Sequence, residues 1–117
     1  MKKIAIVDDE QNILDILSTY LEDDFEVVTF SNPLVAIDSI SQSNFDLLLC
    51  DIMMPQISGL ELLKNLNRTD KSLPIVMMTA FDTMDKALES HKYGAKNYIK
   101  KPFKSLNNVK DIIEELV

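Results

Sequence analysis

Five side chains in this chain could do chemistry together: the carboxylates of Asp8, Asp9 and Asp51, the hydroxyl of Thr79 and the ammonium of Lys101. Three carboxylates at one place repel, so that either one rises in pKa or a cation settles among them. Every candidate ligand is a hard oxygen, which favours Mg²⁺ over zinc. A divalent cation, an ammonium and a hydroxyl beside a carboxylate suit phosphoryl transfer to that carboxylate. The cation and Lys101 would neutralise charge on the transferring oxygens, and Thr79 would donate a hydrogen bond to one of them. The product would be an acyl phosphate on a carboxylate nucleophile.

These residues can meet only if the elements between them bring them together. Phe45 to Cys50 is an apolar run broken only by Asp46, as a fully buried strand requires. It leads into Asp51 and then Pro55, which stops it continuing as strand. Lys3 to Val7, Glu26 to Phe30, Leu73 to Met78 and Lys96 to Ile99 read as the other strands. Asp8 and Asp9 close the first strand, Thr79 and Ala80 the fourth, Lys101 and Pro102 the fifth.

Helical periodicity fills the gaps. Ile13, Leu17, Tyr20 and Leu21 mark a helix over roughly 10–22, and Ala36, Ile37 and Ile40 a second, with Asn32 as N-cap before Pro33. Ser58 caps a third with Leu60, Leu63 and Leu66 inward. The fourth runs from about Thr83 to Tyr93 and stops at Gly94. Ser105 caps a fifth through Val109, Ile112, Ile113 and Leu116. Strands alternating with helices through right-handed crossovers make a parallel sheet covered on both faces. In such a sheet functional groups gather at the carboxyl ends of the strands, which puts all five side chains on one edge.

Composition narrows the function classes. A net charge of -7 disfavours direct binding of nucleic acid or of an anionic membrane, because phosphate contacts need Lys and Arg. The single cysteine, Cys50, lies in the buried run and has no internal partner, which fits a reducing, cytoplasmic setting. The apolar run near the N-terminus is too short for a signal peptide, and no stretch has the length of a membrane span. With only Gly59 and Gly94, a glycine-rich phosphate loop is excluded. Residues 1–117 are expected to form one domain with no linker or repeat.

Several short motifs together resemble the receiver domain of two-component response regulators: IVDDE at 6–10, D-x-x-M-P-x-x-x-G from Asp51 to Gly59, Thr79-Ala80, Gly94-Ala95, and YIKKPF from Tyr98 to Phe103. Each motif is weak alone; in order and at strand ends they are specific, and the resemblance covers roughly Lys3 to Leu116. It implies a flavodoxin-like, doubly wound α/β fold with strand order 2-1-3-4-5. It implies Asp51 as phosphoacceptor, Asp9 as direct Mg²⁺ ligand, Asp8 as the second acid, and the backbone carbonyl of Met53 as a further ligand. Lys101 rather than Lys100 matches the family's lysine, with a cis bond to Pro102. Thr79 and Tyr98 match the switch pair, whose movement alters the face of the fourth helix, fifth strand and fifth helix.

The implied partner is a histidine kinase or a histidine phosphotransfer protein. An output domain or a homodimer through the switch face would follow. The resemblance also implies a switch that catalyses its own phosphorylation and dephosphorylation, not a turnover enzyme. Met53 and Phe81 match positions that tune hydrolysis of the phosphoaspartate. Both are bulky and apolar, so they are expected to hinder the attacking water and prolong the phosphorylated state.

Bland readings stand beside these. Asp8 and Asp9 could cap the first helix, Asp51 could be a turn residue, Lys101 a solvated charge, and Tyr98 a half-buried edge residue. His91 and Lys100 are expected at the surface, Met77 and Met78 in the core. An aspartyl-nucleophile phosphatase needs a second acid two residues after the nucleophile, where Met53 stands. A flavin-mononucleotide binder would have its phosphate repelled by Asp8, Asp9 and Glu10. A phosphorylation-independent interaction module would not need the full acid, Thr and Lys set. The chain ends about where the fifth helix should, so it reads either as a stand-alone receiver or as the N-terminal domain of a transcription regulator. The stretch from Thr79 to Phe103 resembles receivers attached to ATPase-type activators.

Overall fold

The computed structural model describes residues 1–67 and 73–117, apart from the side chains of Asn67 and Phe81. Five parallel strands, β1 (Lys3–Val7), β2 (Glu26–Phe30), β3 (Leu47–Asp51), β4 (Ile75–Thr79) and β5 (Asn97–Lys100), form one sheet in the order β2-β1-β3-β4-β5. Between and after them lie α1 (Gln11–Leu21), α2 (Pro33–Gln42), α3 (Gly59–Asn67), α4 (Met84–Ser90) and α5 (Leu106–Leu116). The expected doubly wound topology is what forms.

Alternation along the central strands builds two cores. Ile4, Ile6, Leu47, Leu49, Val76 and Met78 face one side, where Leu14, Leu17 and Leu21 of α1 and Val109 and Ile113 of α5 cover them. Ala5, Val7, Leu48, Cys50, Ile75 and Met77 face the other, under Ala36 and Ile40 of α2, Leu62, Leu63 and Leu66 of α3, and Ala87 of α4. Each large aliphatic side chain buried this way contributes roughly 1.5–3 kcal/mol. Because both faces are covered, β3 and β4 are buried at every position. This is why they read as unbroken apolar runs. The edge strand β5 buries only Ile99.

The helix starts follow the expected chemistry. Asn32 Oδ1 accepts the Leu34 N–H at 2.9 Å, with Pro33 opening α2. Ser58 Oγ accepts from Glu61 N–H and Ser105 Oγ from Asn108 N–H. Gly94 has φ of 101°, the left-handed conformation that stops a helix and favours glycine.

Four details differ from expectation. The inward row of α3 includes Leu62, while Leu60 is only partly buried. In α1 the fully buried residue of the first turn is Leu14, with Ile13 and Tyr20 at the margin. The third strand starts at Leu47 because Asp46 turns aside to accept the Lys3 N–H at 2.7 Å. The fourth helix is a short α-helix between two 3-10 turns, Phe81–Thr83 and His91–Tyr93. The first turn is closed by Thr83 N–H to the Ala80 carbonyl, and Thr83 Oγ1 also bonds both backbone groups of Ala80.

Candidate functional site

The carboxyl ends of β1, β3 and β4 and the exit from β5 meet at one edge of the sheet. At the end of β1, Asp8 extends the ladder by donating its N–H to the Phe30 carbonyl at 3.1 Å. Its side chain is fully buried. Asp8 Oδ1 accepts the Glu10 N–H at 2.9 Å, and Oδ2 accepts from Lys101 Nζ at 2.6 Å. Asp8 thus bends the chain into α1, while the residue at the N-cap of α1 is Glu10, with no side-chain cap bond. The acids are therefore not there to cap the helix.

Asp51 is the last residue of β3 and is 7% exposed. The following loop is held by two backbone bonds, Ile52 N–H to the Met78 carbonyl and Gly59 N–H to the Ile52 carbonyl at 2.7 Å. Gly59 packs so tightly here that an added Cβ would meet the Asp51 carbonyl oxygen and the Cα of Ile52. The backbone of Lys101 is anchored by its N–H to the Thr79 carbonyl at 2.7 Å, and its bond to Pro102 is cis, as the resemblance implies. From there its ammonium reaches Asp8 at 2.6 Å, Asp51 at 3.3 Å and Glu10 at 3.7 Å. Lys101 is a buried counter-ion and not a solvated charge.

The electrostatics follow from this crowding. Burial, and then the charge of Asp8, push the Asp51 carboxyl up to about 7, against the opposing pull of Lys101. A close side-chain contact with Asp9 adds to the rise. Burial also raises Asp8, while its hydrogen bonds from Lys101 and Glu10 N–H hold it back. Burial disfavours the Lys101 charge, but Asp8 and Asp51 outweigh it and keep its pKa above the ordinary lysine value.

Carboxylate oxygens of Asp8, Asp9 and Glu10 come within 4.8 Å of one another, a set that could hold a metal ion. These hard oxygens, with Asp51 alongside, fit Mg²⁺. Glu10, expected only to help repel a flavin phosphate, is part of this set. Thr83 was also missed. Its hydroxyl lies 2.6 Å from Thr79 Oγ1, and the signal for it is the four-residue spacing of two threonines across a strand end and a helix start.

The remaining residues sort simply. Thr79 is fully buried at the end of β4. Tyr98 on β5 is 36% exposed. Met53 is half exposed and accepts a contact from Lys86 Nζ at 3.6 Å. The Phe81 side chain, expected to tune hydrolysis, lies outside the described residues. Cys50 is buried, and burial, then the Asp51 charge, push its thiol far above the usual range, so it stays an inert core residue. His91 is exposed and donates its Nδ1–H to the Ala95 carbonyl. Lys100 is exposed, and Met77 and Met78 are core residues on opposite faces. No helix among the described residues is long and apolar enough to cross a membrane.

A doubly wound parallel sheet with buried carboxylates and one ammonium at its carboxyl edge defines a flavodoxin-like protein built around an acid pocket. The family model for the response regulator receiver domain matches residues 4–114, and the chain belongs to that family. It is similar to the transcriptional regulatory protein FlgR of Helicobacter pylori, 40% identical over 87% of this chain and 26% of that protein. It is also similar to the uncharacterized transcriptional regulatory protein YkoG of Bacillus subtilis, 35% identical over 86% of this chain and 44% of that one. The chain thus spans less than half the length of these curated relatives. Among solved structures, the chemotaxis protein CheY4 of Vibrio cholerae superposes with a TM-score of 0.91 at 28% identity, covering 100% of this chain and 99% of that one. Receiver domains are phosphoacceptor switches of two-component systems rather than turnover enzymes; they interact with kinases and can be fused to output domains.

Proposed function

We propose that this domain accepts a phosphoryl group on Asp51 from a phosphohistidine of a histidine kinase or histidine phosphotransfer protein. A carboxylate oxygen of Asp51 attacks phosphorus, the P–N bond to imidazole breaks, and the leaving nitrogen keeps the electron pair and takes a proton from water. The observation that carries this reading is the position of Asp51. It is buried at the end of the central strand β3, with Lys101 Nζ at 3.3 Å and Asp8 and Asp9 beside it.

Asp8, Asp9, Asp51 and the Met53 carbonyl would hold Mg²⁺, which supplies positive charge for the transferring phosphoryl oxygens and lets Asp51 ionise. Lys101, tied to Asp8, is oriented to pair with a phosphoryl oxygen on Asp51. The Thr79 hydroxyl would donate to another. Movement of Thr79 and inward rotation of Tyr98 would then reshape the face of α4, β5 and α5, through which an output domain or a second copy is engaged. Phosphate release is a property of the same pocket.

Intact mass after incubation with acetyl phosphate tests this directly. One phosphoryl group gained only with Mg²⁺, and lost in Asp51→Asn, is expected. Uptake that persists in Asp51→Asn would overturn the assignment of the acceptor.

A further inference from the structure

The hydroxyl of Thr79 is already engaged in the turn that follows β4. Thr79 Oγ1 lies 2.6 Å from Thr83 Oγ1 and 3.0 Å from the Ala80 carbonyl oxygen. Thr83 Oγ1 lies 3.1 Å from the same carbonyl and accepts the Ala80 N–H at 3.1 Å. Both threonines are buried.

The protons can be counted. Thr83 Oγ1 already accepts one amide proton, and two hydroxyl protons remain. Either Thr79 donates to Thr83 and Thr83 to the Ala80 carbonyl, or Thr83 donates to Thr79 and Thr79 to the Ala80 carbonyl. In both arrangements the Thr79 proton is used inside the turn. The turn itself does not need that proton, because Thr83 N–H to the Ala80 carbonyl at 3.1 Å closes it.

We propose that Thr83 is a positioning residue that holds the Thr79 hydroxyl in the β4–α4 turn and thereby favours the unphosphorylated conformation. The consequence for phosphorylation rests on the reading of Thr79 as a phosphoryl ligand. When Thr79 leaves, Thr83 keeps the Ala80 N–H, so the share of the release cost that the Thr83 hydroxyl sets is the hydroxyl–hydroxyl bond. A net neutral hydrogen bond biases a two-state equilibrium by about three- to ten-fold.

The test uses Thr83→Val, which keeps the shape and removes the hydroxyl, and Thr83→Ser, which restores it. Three-bond couplings read the Thr79 χ1 rotamer in the metal-free protein. One rotamer is expected in the wild type and in Thr83→Ser, with averaging in Thr83→Val. The same single rotamer in Thr83→Val overturns the proposal, whether or not the domain accepts phosphate. The Mg²⁺-dependent rate with acetyl phosphate should rise about three- to ten-fold in Thr83→Val and return to the wild-type value in Thr83→Ser. An unchanged or slower rate in Thr83→Val also overturns it. A wild type that takes up no phosphoryl group would instead overturn the function of Thr79, and the rotamer measurement would still decide whether Thr83 holds it.

Discussion

Gly59 and Asp51 stand so close across the β3–α3 loop that a Cβ at residue 59 would collide with the Asp51 carbonyl oxygen. The obstacle is backbone, which cannot swing away. Gly59→Ala must therefore move the loop that carries Ile52 and Met53, or shift the end of β3. Chemical denaturation should show a loss of about 2–3 kcal/mol, at the upper end for overpacking. A loss below ~0.5 kcal/mol would mean that the loop yields freely.

Asp51 should make the metal-free protein less stable as pH rises. Its folded pKa of about 7 lies above its ordinary value of 3.8. The folded state therefore binds the proton more tightly, and the contribution to stability is fully present below about pH 4 and lost by about pH 7. Asp8 is raised as well and acts in the same direction. Asp51→Asn should stabilise the metal-free protein at pH 7.5 by on the order of 2 kcal/mol and flatten the slope between pH 4 and 7. Parallel pH profiles for variant and wild type would refute this.

Mg²⁺ should raise the melting temperature at pH 7.5, because only the folded chain assembles the acid set. At a hundredfold excess over Kd the gain is about 2.7 kcal/mol. Asp9→Asn should remove most of that gain while leaving the metal-free protein folded. Equal stabilisation of wild type and Asp9→Asn by Mg²⁺ would place the ion elsewhere.

Lys101 compensates Asp8 and Asp51, so its removal should hurt most when both acids are ionised. Lys101→Met should cost about 3 kcal/mol at pH 8, the scale of a broken buried pair. The cost should shrink at pH 5, where Asp51 takes a proton instead. Urea unfolding at the two pH values checks this; an equal loss at both would show that the packing of the lysine stem matters and its charge does not.

Met53 follows Asp51 by two residues, lies beside Lys86 and is half exposed. A polar side chain there would admit and orient water. Met53→Asn should shorten the lifetime of the phosphorylated state several-fold, read from the decay of the phosphorylated mass after donor removal. An unchanged decay would assign water exclusion to other residues.

Much of this was legible in the sequence because burial on two faces leaves a strong mark. Leu47 to Cys50 and Ile75 to Met78 could hardly be anything but central strands, and the polar residue ending each run announced the site edge. Asn32-Pro33, Ser58, Ser105 and Gly94 carried their caps openly. What stayed hidden depends on side-chain direction. Leu60 and Leu62 both suit a helix, and only the docking of α3 on the sheet decides which turns inward. Glu10 looked like one more helix-start acid until Lys101 was seen 3.7 Å away. Thr83 reads only as the start of the fourth helix, and its bond to Thr79 requires the 3-10 turn that no composition signal foretells.

The strand order has a consequence for how the molecule is made. Because β1 lies between β2 and β3, the stretch through Asp51 already contains a three-stranded sheet bearing Asp8, Asp9 and Asp51. A chain emerging N-terminus first completes this acid cluster well before Lys101 exists. Through that interval like charge opposes the seating of β1 against β3, and only protons or cations from solution relieve it. The outermost strand, last to arrive, brings the counter-ion for the centre of the sheet, and its docking completes both the β-ladder and the charge balance.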